Sequence, residues 1–189
     1  MKRSIPILAL AALLAAPLTA VPAVAEDCPA TPEYGADGPV VIAQYGLWKA
    51  YILGEGQKRY CYVAARPPGG DASMALLVWH APFWRQYDVI QVDLARTADA
   101  RPLGLTVDGR RWPLYAASCT AWSFGRDQST IAGALMSGRA AAVTEAYPDE
   151  PVAPDGPDLY PLEGFREAYA AMDAECKQVS GLPAGGVAQ

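Results

Sequence analysis

Residues 160–176 read YPLEGFREAYAAMDAEC and carry the clearest amphipathic pattern in the chain. Leu162, Phe165, Tyr169, Met172 and Cys176 follow one another at steps of three, four, three and four. That spacing lines them along one stripe of a helix and turns Glu163, Arg166, Glu167 and Asp173 towards water. Nearly everything before this stretch reads as β-strand, so the stripe is expected to lie against a sheet. Cys176 closes the stripe, and its sulfur is expected to point inward. A cysteine so placed can staple the helix to the sheet.

Working back from the helix, residues 148–157 are rich in proline and aspartate. They read as a solvated connector, because they lack the fixed ligand spacing of a calcium loop. Residues 139–146 read as a strand. The period changes over Asp127 to Ser137, where Ile131, Leu135 and Met136 stand at helical spacing. Asp127 and Ser129 are candidate caps and Gly138 is the stop. Thr120 to Phe124 reads as another strand. Asp108-Gly109-Arg110 sits between the apolar runs Leu103–Val107 and Trp112–Tyr115, a strong hairpin signal, since glycine tolerates positive φ. Pro113 marks the second arm as an edge strand.

Further upstream, Tyr87 to Leu94 alternates loosely, and Ala81-Pro82-Phe83-Trp84 breaks the continuous apolar run Met74 to Trp79. That run suits a strand buried on both faces. Trp48 to Leu53 and Tyr60 to Val63 flank Gly54-Glu55-Gly56 as a hairpin, with Cys61 facing the side opposite its tyrosine neighbours. Val40 to Ala43 reads as a first strand. Roughly seven to nine short strands at this spacing, one short helix and one C-terminal amphipathic helix define a mainly β fold. The expected form is an antiparallel β-sandwich or partly closed barrel.

The first residues belong to a different job. Lys2 and Arg3 precede an apolar, alanine-rich run from Ile5 to Leu18, and Ala23-Val24-Ala25 supplies small residues for cleavage. The organisation expected is a cleaved signal peptide over 1–25, an arm over 26–38, one β-rich domain over 39–178 and a tail over 179–189. The mature chain is therefore expected in the periplasm or secreted, with no membrane span of its own. The net charge is −5 and becomes more negative once Lys2 and Arg3 are removed. An acidic chain without a basic run is a poor nucleic-acid binder. Cys28, Cys61, Cys119 and Cys176 are an even set in an exported chain, which favours two disulfides in one of three connectivities. With no C-x-x-C and a single histidine, His80, a metal site is disfavoured and no cofactor motif stands out.

The order Tyr60-Cys61-Tyr62-Val63, Thr120-Ala121-Trp122, Ala134-Leu135-Met136-Ser137-Gly138 and Leu159-Tyr160-Pro161-Leu162-Glu163-Gly164-Phe165 resembles the invasion-associated locus B family. The likeness runs from about Trp48 to Cys176. The resemblance implies an exported bacterial protein, periplasmic or secreted, named for a role in host-cell entry and associated with no catalytic residues. It also implies that Cys61 pairs with Cys176, leaving Cys28 to pair with Cys119. The 146–157 region departs from the family pattern, with aspartate, glutamate and proline where relatives carry a serine, arginine and glycine turn.

Two groups of residues invite a functional reading. His80, with Asp88 and Asp93 near in sequence, has the makings of a general base. No nucleophile or metal set accompanies it, so a strand-end histidine engaged in hydrogen bonds is the plainer reading. Ser123, Ser129 and Ser137 lack the Gly-x-Ser-x-Gly setting of a hydrolase. Trp79, Phe83, Trp84 and Tyr87 cluster around a turn and are the candidate contacts for a protein or envelope partner, or for a small ligand or glycan. The alternative is that they close one end of the core. The function expected is a non-enzymatic envelope or secreted protein acting through surface contacts, with a periplasmic ligand-binding module as the second possibility.

Overall fold

A computed structural model of the chain describes residue 28 and residues 38–71, 73–95, 97, 103–145 and 159–180. The segments expected to be a signal peptide, most of the arm, the 146–158 connector and residues 181–189 lie outside the described residues. The described residues hold ten strands: β1 (Val40–Tyr45), β2 (Trp48–Leu53), β3 (Tyr60–Ala65), β4 (Ala75–Ala81), β5 (Gln86–Asp93), β6 (Leu103–Val107), β7 (Arg110–Ala117), β8 (Thr120–Ser123), β9 (Ala140–Glu145) and β10 (Leu159–Pro161). They form one continuous sheet in the order β1-β2-β3-β4-β5-β8-β7-β6-β9-β10, with every neighbour antiparallel. Two α-helices accompany it, α1 (Gln128–Ser137) and α2 (Phe165–Ser180).

The ladder does not close, yet its two edges meet. Trp48 on β2 donates its indole N–H to the carbonyl of Pro161 on β10 at 2.8 Å. Gly164, just past β10, has φ +85, and a Cβ there would collide with the backbone of Tyr45 at the end of β1. Only glycine allows that approach. The sheet therefore curls into a partly closed barrel.

One side chain in two along each strand fills the interior. Trp48, Val63, Leu76, Val78, Ile90, Leu105 and Val143 are buried there with Phe165, Ala168 and Met172 of α2 and Ile131 and Leu135 of α1. α2 packs on β1, β2 and β3, and α1 packs on β5 and α2. The Arg166 guanidinium donates to the Met136 carbonyl at 2.8 and 3.0 Å, capping the end of α1 from α2. Both disulfides form. Cys61–Cys176 joins β3 to α2 with Cα atoms 6.0 Å apart, and Cys28–Cys119 joins the arm to the β7–β8 turn with Cα atoms 5.6 Å apart.

Several expectations needed correction. Residues 159–161 are a strand and α2 begins only at Phe165, so Leu162 is buried in the link before the helix. Pro113 lies on β7, an interior strand flanked by β6 and β8. It pairs with Gly104, but β8 stops opposite Leu114, so the proline has a strand partner on one side only. Asp127 makes no side-chain cap bond. Gly138 has φ −81, and its requirement is close packing, since a Cβ would lie 2.6 Å from Val107 Cγ1. The Asp108-Gly109 turn is as expected, with φ +45 and +86 at its two central residues.

Candidate functional site

The histidine sits beside the disulfide. His80 on β4 is paired across the ladder with Cys61, and its ring is 2% exposed. Trp79 pairs with Val89 and Ala81 with Gln86, so Tyr87 and Asp88 together stand opposite His80 as a bulge. Asp88 takes φ +57, a conformation that aspartate accepts more readily than most residues. The bulge turns both Tyr87 and Asp88 onto the imidazole. Tyr87 meets it edge-on at 5.4 Å, and Asp88 Oδ1 lies 3.2 Å from His80 Nε2.

α2 completes the cluster. The Tyr169 hydroxyl donates to Asp88 and lies 3.3 Å from His80 Nε2. Asp173 places Oδ1 3.6 Å from His80 Nδ1 and accepts from Lys177 Nζ at 2.6 Å. Asp173 thus turns inward, contrary to its expected place on the wet face of the helix. The His80 ring thus lies between two carboxylates, Asp88 on its Nε2 side and Asp173 on its Nδ1 side. The arrangement ties α2 to β4 and β5. Ser123, the serine of β8, is 3% exposed and spends its hydroxyl on the Ile90 N–H at 3.3 Å. Among the described residues no three histidine, cysteine, aspartate or glutamate side chains are placed so that they could hold a metal ion together.

Burial by itself pushes the Asp88 carboxyl up. The hydrogen bonds from His80 and Tyr169, with the charges of His80 and Lys177, outweigh burial and hold it below its ordinary 3.8. Burial also lifts the Tyr169 phenol above its ordinary 10.0, and the bond to Asp88 and the charges of Asp88 and Asp173 lift it further. A carboxyl held low stabilises the fold above about pH 4 and ceases to do so as pH falls. A phenol held high contributes below about pH 10, and that contribution is lost as pH rises beyond it. Urea midpoints measured against pH should therefore fall at both extremes. Tyr169→Phe should flatten the alkaline limb and Asp88→Asn the acid one. Parallel curves for wild type and Tyr169→Phe above pH 10 would refute the coupling.

The four aromatic candidates do not converge. Phe83 and Trp84 form a 3-10 turn after β4 and stand 56% and 54% exposed, with Trp84 leaning on Tyr60 at 4.9 Å. Tyr87 faces His80 on the inner side. Trp79 points to the opposite face of the sheet, away from the core.

There it ends an aromatic row that the sequence reading missed. Tyr51, Tyr62 and Trp79 are register partners on β2, β3 and β4. Tyr51 and Tyr62 stack at 4.7 Å and 14°, and Tyr62 meets Trp79 at 4.4 Å and 32°. The row walls a groove of about 810 Å³ whose floor is Ala64, Ala75 and Leu77 and whose rim carries Lys49, Arg66, Gln91 and Asp93. Burial raises the Tyr51 phenol, while the Arg66 charge opposes the rise. The tyrosines flanking Cys61 were the signal available, because alternation sends them to this face. Their partners needed the β2–β3 register, which no short-range pattern encodes.

The chain is similar to invasion associated protein B. The likeness is to the crystal structure of that protein from Bartonella henselae, with 21% identity over 72% of this chain and 97% of that one and a TM-score of 0.48. No family model matches the sequence, and no curated protein matches it.

Proposed function

We propose that this chain is an exported, non-enzymatic binding domain of the invasion-associated locus B type, and that the outer-face groove holds its ligand. The observation that carries this reading is the row Tyr51–Tyr62–Trp79 walling a groove of about 810 Å³. Ligand sites are concave, largely apolar and edged by a few polar groups, as this one is. The order of the sequence motifs supports the family, and the pairing of all four cysteines is compatible with export. Cleavage after Ala25 and residence in the periplasm or medium complete the proposal. Contact with a host cell is the role the family name suggests, and upkeep of the bacterium's own envelope is a role the same groove serves equally.

The exposed Phe83–Trp84 turn favours a second reading, contact with a protein partner. Ala64→Arg, which fills the groove floor, and Phe83→Ala/Trp84→Ala, which strips the turn, separate the two. On an array of glycans and peptides probed with the labelled protein, the groove reading expects binding lost in Ala64→Arg and kept in the turn variant. The reverse pattern would transfer the function to the turn, and wild-type binding by Ala64→Arg would sink the groove.

A further inference from the structure

We infer that the groove takes an acidic sugar chain, with a ring on the apolar floor beside the aromatic wall and a carboxylate between Lys49 and Arg66. This rests on the groove being the binding site. Three observations point to the ligand class.

The first is charge. The protein is acidic overall, yet the rim presents Lys49 and Arg66. Neither cation forms an ion pair among the described residues. The remaining charged lining group, Asp93, already accepts Gln91 Nε2 at 2.6 Å. An anion entering this groove therefore meets two cations and one carboxylate, and neither cation is ion-paired among the described residues.

The second is an unused donor. The indole nitrogen of Trp79 is buried and has no hydrogen-bond partner among the described residues. A buried donor left unpaired costs free energy, and an acceptor oxygen of a ligand relieves that cost once the ring turns its nitrogen into the groove.

The third concerns what the groove cannot do. Most of it lies on the face of β2, β3, β4 and β5, whose backbone groups are already committed to their neighbours, and Gln44, Gly46 and Leu47 line its β1 end. An extended peptide that binds by adding a strand needs an open sheet edge. Over the four-strand face recognition falls to side chains. Tyr51, Tyr62 and Trp79 offer apolar wall, Ala64 and Leu77 a shallow floor, and Lys49, Arg66 and Gln91 polar ends. A rigid ring with apolar C–H faces, several hydroxyls and a carboxylate satisfies that set. A nucleic acid does not, since two cations are too few for a polyphosphate backbone.

Calorimetric titration of the purified, disulfide-bonded protein tests the inference. Trigalacturonate and sialyllactose serve as acidic probes, and galactotriose and lactose as their neutral counterparts. At least one acidic probe should bind about tenfold or more tightly than its neutral counterpart. Lys49→Gln and Arg66→Gln should each weaken it by about tenfold, equivalent to about 1.4 kcal/mol, without moving the melting temperature. Raising the salt concentration should weaken it as well. Equal affinity for neutral and acidic probes, or indifference to both glutamine variants, overturns the acidic-sugar assignment. It leaves the groove standing if Ala64→Arg still abolishes binding. Absence of binding by all four probes also overturns the assignment. Probe binding that survives Ala64→Arg overturns the groove together with it.

Discussion

Replacing Cys61 and Cys176 together by serine should lower the stability of the protein by about 4–5 kcal/mol on the loop-closure model, given 115 residues of separation. A domain is typically stable by about 5–15 kcal/mol, so a loss of this size leaves many such proteins marginal. At about 2–4 °C per kcal/mol, the melting temperature should fall by roughly 10–20 °C. Cys28 and Cys119, at a sequence separation of 91, serve as the control. Because loop entropy grows only with the logarithm of length, the two bridges differ by a few tenths of a kcal/mol on that model. Packing should separate them. Cys61 and Cys176 are fully buried between β3 and α2, beside the His80 cluster, and their loss loosens the contacts of Phe165, Ala168 and Met172. Cys28 is 9% exposed and joins no helix. Circular dichroism melts should therefore show the larger drop for Cys61→Ser/Cys176→Ser, with loss of helical signal. Equal drops would mean that chain entropy alone is at work, and that the bridge has no special part in docking α2.

The helix that this bridge holds was legible from its stripe. Phe165, Met172 and Cys176 are buried as the spacing required, because α2 meets the sheet along one face. The Asp108-Gly109 turn was legible for a local reason, the positive φ that both residues accept. Sheet-scale features were not. That β5 neighbours β8, and β6 neighbours β9, is a long-range matter with no short-range signature. The same holds for β10, three residues long and ending in Pro161, which is a strand only because β9 lies beside it. In the site, His80 was singled out correctly as a group with partners. Asp88 reached it through a bulge, and Tyr169 and Asp173 reached it from α2, two contacts that depend on how the helix docks. The aromatics were half legible. Trp79, Phe83, Trp84 and Tyr87 are near in sequence, but strand alternation and the bulge send them to three different places. Tyr51 and Tyr62 are drawn to Trp79 only by register.

Trp48→Ala should destabilise the protein by about 3–5 kcal/mol, the range for truncating a buried large aromatic. Trp48 is fully buried, packs edge-on against Phe165 at 4.8 Å, and reaches Pro161 with its N–H. It therefore does two things at once. It fills the core beneath the first turn of α2, and it fastens β2, next to the β1 edge, to β10 at the opposite edge, across a seam that no ladder closes. Trp48→Phe separates these roles. A phenyl ring retains most of the packing and loses the N–H, leaving the Pro161 carbonyl unpaired at a cost of about 1–3 kcal/mol. Trp84→Ala is the reference, since a side chain 54% exposed on a turn should change stability by no more than about 0.5 kcal/mol. Hydrogen exchange locates the effect. In Trp48→Phe the amides of β9 and β10 should exchange faster while those of β3 and β4 hold, because only the seam between the sheet's edges has been opened. If both variants melt with the wild type, the edges are held by something other than Trp48. If Trp48→Phe speeds exchange evenly across all ten strands, the indole is core filling and the seam has no separate existence.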